Sequence, residues 1–480
     1  MPTKQIRIAA ICCALAGTAL IATSPALGET FRLTDALAAA YETNPEIMAQ
    51  RADLRATDET VAQANAGWRP TINASGSYGY QCNIVSGLGP LSNLGHSCNS
   101  RPPAPFSSDP AQTAGTPLTG QIVVQQSIFR GGRTFAEVGR AKALVRSARA
   151  QLVQTEAQIL LDTVTAYMDV VRDAAILQLR QNSVAALRKQ FDATNEEFKV
   201  GEVTKTDVAQ AQARLSVAVS DLSNARGQLM ASRAAYEQVV GRPAATLERD
   251  PALPHLPVDR EAAYRLAEAR SPILLAAKAN EKAAQYGVDD AAGALLPQLS
   301  VAGEYQYSKD AVSIGSVIPT QRTLAVIGQL EVPIYQGGGD EATVRRAKQL
   351  HSEAQIRIAE ADRQVRQGVD TAWQNYLAAR ATIATNQTAV SANQTAYDGA
   401  VIEQQAGSRT ILDVLNAEQE LINSQVAVVI SQRDTMVAAY QVLAATGGLT
   451  ARDLALHVNY YDPKLYYDDN ASRWFGMGDD

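Results

Sequence analysis

Residues 298–307 read Gln298-Leu299-Ser300-Val301-Ala302-Gly303-Glu304-Tyr305-Gln306-Tyr307. The alternation is strict: Leu299, Val301, Gly303, Tyr305 and Tyr307 share one face of a strand, and Gln298, Ser300, Ala302, Glu304 and Gln306 share the other. Subtracting 227 from each position finds a second copy, in which Ile72, Ala74, Gly76, Tyr78 and Tyr80 alternate with Asn73, Ser75, Ser77 and Gly79. The same offset relates Pro45 to Pro272 and Pro70 to Pro297. Further along, an offset of 206 relates Gly131-Gly132 to Gly337-Gly338, Tyr167 to Trp373, Gly201 to Gly407, Asp207 to Asp413 and Gly241 to Gly447. A register kept over so long a span means one structural unit used twice, and the change of offset places 21 extra residues of the first copy between Tyr80 and Gly131.

A second strand follows in each half. Ile122, Val124 and Ile128 alternate with Val123, Gln125 and Ser127, and in the later copy Leu324, Val326, Leu330, Val332 and Ile334 alternate with Ala325, Gln329 and Glu331. Tyr78, Tyr80, Tyr305 and Tyr307 lie toward one end of these strands, and Trp68, Phe129 and Tyr335 toward the other. Aromatic residues at both rims are the pattern of a barrel in lipid, with a sandwich wet on one face as the plainer alternative. A closed barrel needs about eight strands, so a chain with four would share its barrel with other chains.

The remaining sequence is helical in pattern. Leu33 to Gly67 and Arg260 to Ala292 are Ala-rich segments, each with a proline near its start. From Arg133 to Phe198 there is no proline, and no glycine after Gly139. Leu160, Val164, Tyr167, Val171 and Ala174 keep the spacing of a coiled coil in that segment, which would run roughly 100 Å. After Gly201 a returning helix carries the seam Val208, Ala211, Leu215, Ala218, Leu222, Ala225, Leu229, Ser232, Tyr236 and Val239, and the second copy repeats it with smaller residues. Two short helices end to end would match one long helix. The expectation from these lengths is that Lys205 to Val240 stacks under Arg260 to Ala292, and Leu412 to Ala445 under Leu33 to Gly67.

Lys4 and Arg7 before an apolar run, followed by Ser24-Pro25-Ala26-Leu27-Gly28, read as a secretory leader cleaved after Gly28. No later run is long enough to cross a bilayer as a helix, so a membrane-spanning mature chain would have to do so as a barrel. The formal net charge of −6 argues against a nucleic-acid partner. Cys82 and Cys98 flank a Gly/Ser/Asn-rich segment, where a loop disulfide or two free thiols are the options and a metal site is disfavoured by spacing. The scattered histidines, His96, His255, His351 and His457, form no catalytic or metal-binding spacing, and no cofactor is indicated. The organisation read from the sequence is a leader (1–28), a first repeat (29–241), an equatorial connector (242–259), a second repeat (260–447) and a C-terminal tail (448–480).

The leader, the duplicated helix-strand-strand-helix unit, the paired glycines and the segments Val200-Gly201-Glu202-Val203-Thr204-Lys205-Thr206-Asp207-Val208 and Gly407-Ser408-Arg409-Thr410-Ile411-Leu412-Asp413-Val414-Leu415-Asn416-Ala417 resemble the TolC outer-membrane efflux family. The resemblance implies a homotrimer in the outer membrane of a Gram-negative bacterium, mainly helical, with a 12-stranded barrel in lipid and a periplasmic helical tunnel. It further implies an exit duct for multidrug efflux or type I protein secretion, served by a periplasmic adaptor and an inner-membrane pump of the RND or ABC kind. At the tip, Arg409 would link to Thr206 and Asp207, Asp413 would line the constriction, and Val200-Gly201 and Ala406-Gly407 would meet the adaptor. Asn416 and Gln404 depart from the family's pattern, replacing a second acidic ring and a latching tyrosine. The residues alone give a first-turn carboxylate such as Asp207 or Asp413 a plainer reason, the helix dipole.

Two other functions compete. Gly201 to Thr206 distantly resembles a phosphate-binding loop, but Thr204 stands where the glycine before the lysine is required. A periplasmic adaptor with a coiled-coil hairpin would explain secretion and coils, yet it predicts one hairpin and not two with aromatic-rimmed strands.

Overall fold

The computed structural model describes residues 31–79, 81–84, 112–115, 117–313 and 316–476; the leader, Tyr80 and Cys98 lie outside them, and with Cys98 the disulfide question. The first half runs α1 (Leu33–Thr43), α2 (Pro45–Asn65), a 3-10 turn (Ala66–Trp68), β1 (Thr71–Tyr78), β2 (Gln81–Ile84), β3 (Gln112–Gly115), β4 (Leu118–Arg130), α3 (Arg133–Lys199) and α4 (Lys205–Val240). The second half runs α5 (Arg260–Arg270), α6 (Pro272–Gly293), β5 (Gln298–Ser313), β6 (Ser316–Glu331), α7 (Gly339–Gln405) and α8 (Ile411–Ala445), and a short α9 (Leu465–Asn470) follows.

Proline sets the breaks near the start of each half. The residue before it is driven out of the helical region, so Asn44 (φ −66°, ψ 124°) and Ser271 (φ −57°, ψ 121°) separate α1 from α2 and α5 from α6. Asn44 then caps α2 by accepting from the Glu46 amide at 2.9 Å.

The four long strands form one antiparallel sheet in the order β1-β4-β5-β6. Directly opposed residues share a face. Ile72, Val124, Gly303 and Val326 therefore make one row across the sheet, and Ala74, Ile122, Tyr305 and Leu324 the next. The opposite face carries Ser75, Gln121, Gln306 and Thr323, with Gln121 Nε2 donating to Glu304 Oε1 at 2.7 Å. One bulge serves this alternation: the register shifts between Ser127 and Phe129, so Phe129 opposes Leu299 on the apolar face, where simple alternation would have turned it to the polar one. The expected strand through Val332 and Ile334 is a correction, because the ladder stops at Glu331 ahead of Pro333, which has no N–H to give.

The small β2-β3 ladder keeps the register of β1-β4, so it continues the first hairpin outward. Its last pair, Ile84 with Gln112, corresponds under the two offsets to Ala311 with Ile318, which are also paired. The 21 additional residues thus belong to 85–111.

Both α3 and α7 are 67 residues long, roughly 100 Å at helical rise. Helix α3 packs against α2 and α6 toward the sheet and against α4 and α8 away from it, while α7 packs against α6 and α8. The α4 seam is buried at Ala211, Ala218, Leu222, Leu229, Ser232 and Tyr236, a three-four alternation. The stacking, however, is the reverse of the expectation. The end of α4 abuts the α1/α2 break, where Asn44 Nδ2 donates to the Val239 carbonyl at 2.9 Å and Thr43 Oγ1 to the Val240 carbonyl at 3.2 Å. The end of α8 abuts the α5/α6 break, with a Cβ built on Gly447 falling 2.7 Å from the Arg270 carbonyl. Length alone does not distinguish two short pairs of equal size; the unpaired C-terminal carbonyls of α4 do, because the broken helix of the same repeat supplies donors for them.

The largest core lies at this level. Leu33, Leu37 and Ile47 meet Leu160, Val164 and Tyr167 of α3, Tyr236 and Val240 of α4, and Met436 and Tyr440 of α8. Tyr167 is fully buried, and its hydroxyl lies 2.9 Å from the Phe31 carbonyl, to which it donates, and 3.1 Å from that of Glu248. Leu449, Ala451 and Leu456 enter the same core. The chain then returns along α2, where Asn65 Nδ2 donates to the Ala471 carbonyl at 2.9 Å and Arg69 stacks on Trp474.

Candidate functional site

Two places carry the chemistry, the tip where the long helices turn and the outward face of the sheet. At the tip, the two halves repeat one design. Gly201 and Gly407 take φ of +82° and +76°, a conformation open to glycine, to reverse the chain. Val200 is 73% exposed, and a Cβ on either glycine would meet nothing within 4 Å. Ala406 ends α7 and is likewise exposed. Gln404 contributes its carbonyl, which accepts from the Gly407 amide at 2.9 Å.

Each return helix begins with a reciprocal cap. The Asp207 amide donates to Thr204 Oγ1, and Asp207 Oδ2 accepts from the Thr204 hydroxyl at 2.7 Å and the Thr204 amide at 2.9 Å. Thr410 and Asp413 do the same, with distances of 2.7 and 3.1 Å to Asp413 Oδ2. Hydrogen bonds from those threonines hold both carboxyls below the usual range, so both are firmly ionised. This spacing, Thr-x-x-Asp, was readable in the sequence as a capping box.

Within the chain Arg409 pairs with Glu403 at 2.5 Å, and no ion pair or hydrogen bond among the described residues joins it to Asp207 or to the exposed Thr206. Asn416 accepts from Arg214 Nη2 at 2.7 Å, tying α8 to α4. Sequence reasoning missed that bond, and it missed Glu418. That carboxyl is 7% exposed on α8, and burial lifts it from 4.5 to about 7. Because the folded value lies above the unfolded one, its contribution is fully present below about pH 4.5 and is lost as pH rises through about 7. We therefore expect the start of α8 to exchange its amides faster between neutral and mildly alkaline pH, after correction for intrinsic rates, and Glu418→Gln to remove that excess. The same excess in the variant would exclude Glu418 as its source.

On the sheet, apolar side chains project from the face defined above without any cover. Ile72 is 69% exposed, Leu324 79% and Val326 76%, with Tyr78, Tyr305, Tyr307 and Phe129 on the same face. At the helix end of the strands, Trp68 packs edge-on against Phe135 at 4.5 Å, an aromatic partner absent from the sequence reading, and Tyr335 stands exposed. Among the described residues no helix is long and apolar enough to cross a membrane, and no cluster of His, Cys, Asp and Glu is placed to hold a metal ion.

An uncovered apolar sheet stands at one end of two long, matched helical hairpins. The family model described as outer membrane efflux protein matches residues 36–242 and 263–448, one stretch in each half. The chain belongs to this family. It is 36% identical over 474 residues to the outer membrane efflux protein BepC of Brucella suis, covering 99% of this chain and 97% of that one. Outer membrane protein TolC of Escherichia coli is 26% identical over 433 residues, with 86% and 81% covered. In fold the chain matches the outer membrane protein VceC of Vibrio cholerae with a TM-score of 0.71 at 20% identity, over 86% of this chain and 96% of that one. An outer membrane efflux protein is an exit duct seated in the outer membrane of a Gram-negative cell, its helices forming the periplasmic part. The family is one of transport channels, and the adaptor reading is not favoured.

Proposed function

We propose that three copies of this chain close one barrel and one tunnel, and that the bare flank of α7 is the observation that carries this reading. Helices α3 and α7 are equal in length and equivalent by repeat, yet 22 residues of α3 are buried and five of α7. The difference follows from neighbours. α3 lies between α2 and α6, whereas α7 has α6 on one side and, among the described residues, no counterpart of α2 on the other. The α2 of a second copy supplies it. The sheet edges β1 and β6, unpaired with each other in the chain, join by the same operation. Three four-stranded sheets make the twelve-stranded ring that the family resemblance implies.

In this reading the apolar sheet face meets lipid, with Tyr78, Tyr305 and Tyr307 at the outer girdle and Trp68, Phe129 and Tyr335 at the inner one. The polar face, with Glu304 and Gln121, lines the lumen. Arg409 exchanges Glu403 for Asp207 and Thr206 of an adjoining coil when the tip closes, and Asp413 rings the constriction with Asn416 and Gln404 behind it. Ionised carboxylates around an axis attract cations and repel one another, so the closed tip is held by links and not by intrinsic preference. Val200-Gly201 and Ala406-Gly407 dock a periplasmic adaptor, and an inner-membrane RND or ABC pump supplies the energy. Multidrug efflux and type I secretion are the two exports such a duct serves.

Planar-bilayer recording tests this. Protein extracted in detergent as a particle of three chains should insert and give discrete single-channel steps, and Arg409→Ser should raise the conductance. A monomeric, freely soluble product would overturn the duct, and unchanged conductance would remove Arg409 from the gate.

A further inference from the structure

The sheet face assigned to lipid carries two charges among its described residues, and they sit together. The rows that cross all four strands end, away from the helices, with Gly76, Gly120, Tyr307 and Arg322, then Tyr78, Leu118, Lys309 and Thr320, beyond which the separate hairpins continue. Lys309 and Arg322 are diagonal neighbours on adjacent strands, about 7–8 Å apart at the backbone, both exposed. The Arg322 guanidinium lies 6.0 Å from the Tyr307 ring centroid, at the limit of a cation-π contact.

The arrangement is unlike that at the other rim. There Arg130 pairs with Glu137 at 3.1 Å and Arg133 with Asp290 at 2.9 Å. Among the described residues neither Lys309 nor Arg322 has a carboxylate partner, and the outward rows contain no Asp or Glu. Two cations held side by side repel, and on a lipid-facing surface they sit directly beyond the rows of Tyr305, Leu324, Gly303 and Val326 that occupy the hydrocarbon. A partner that suits them is an anion with at least two negative oxygens, placed at the head-group level of the outer leaflet. The repeat-related positions are Cys82 and Thr116, so the pair occurs once in each chain.

We propose that Lys309 and Arg322, with Tyr307 as a stacking surface, bind a phosphate of the phosphorylated glycolipid that forms the outer leaflet of the outer membrane. The inference rests on the barrel reading above. The glycolipid is favoured over a phospholipid because the pair lies at the strand ends opposite the periplasmic helices. Arg322 offers a planar fork for two phosphate oxygens and Lys309 a point charge beside it.

Native mass spectrometry of the detergent-purified full assembly, titrated with diphosphoryl lipid A, dephosphorylated lipid A and phosphatidylglycerol, tests the site. Wild type should retain diphosphoryl lipid A about tenfold more tightly than the dephosphorylated form, the scale of one charge-assisted contact. K309Q/R322Q should abolish that preference while channel insertion in a planar bilayer is kept. Undiminished preference in the double variant, or equal retention of phosphatidylglycerol by wild type, overturns the assignment. An assembly that inserts normally but shows no preference sinks this site alone; one that fails to insert sinks the barrel reading as well.

Discussion

Gly131→Val should abolish the folded assembly. Gly131 has φ +62°, and a Cβ placed there would collide with the backbone carbonyl of Gly293 and lie 2.9 Å from Leu296 Cβ. Gly293 in turn leaves only 2.7 Å between a built Cβ and the Gly131 carbonyl. Both partners are main chain, which cannot swing aside, so left-handed strain and overpacking add to a cost of about 3–6 kcal/mol. Gly337 is the repeat-related residue, with φ +66° and nothing within 4 Å in the chain. Gly337→Val should cost a single chain only the left-handed strain, without the overpacking, yet prevent assembly, because in the proposed trimer its equivalent contact belongs to the neighbouring copy. Heat-resistant oligomer on a denaturing gel and the circular-dichroism melt of unassembled chain separate the two effects. A Gly131→Val assembly as heat-resistant as wild type would rule out the close approach.

Tyr167→Ala should be the most damaging change to the core, by about 3–5 kcal/mol for a large buried aromatic. The ring lies among α1, α3 and α4, tilted against Tyr236 at 6.3 Å, and the hydroxyl reaches both the segment entering α1 and the connector after α4. Tyr167→Phe isolates the second part and should cost about 1–2 kcal/mol, since the Phe31 and Glu248 carbonyls lose a buried donor. Denaturant midpoints at constant slope measure both. Equal stability of wild type and Tyr167→Phe would show that water replaces the hydroxyl.

What the sequence revealed was what has a period. The alternation at 298–307 gave the sheet faces, the two offsets gave the duplication, and the three-four spacing on α4 gave its buried seam. The stacking of the helices was illegible, because lengths add identically for either pairing, and two side chains, Thr43 and Asn44, decide between them. The bulge before Phe129 was hidden for a related reason: one inserted residue reverses a face without changing composition. At the tip the glycines and carboxylates were found, but the tie between Asn416 and Arg214 and the burial of Glu418 depend on neighbouring helices far away in sequence.

The abutted helix ends set how mechanical work can travel. No continuous main-chain ladder crosses from α2 to α4; the seam is bridged by side-chain bonds from Thr43 and Asn44, each worth about 1 kcal/mol. The jointed columns can therefore yield at mid-height by exchanging side-chain bonds alone, while α3 and α7, each 67 residues without a break, carry a twist past that level to the strands. On the proposed duct reading, widening the tip would ask the jointed columns to slide and the two unbroken ones to bend, with the strand pairing above left intact.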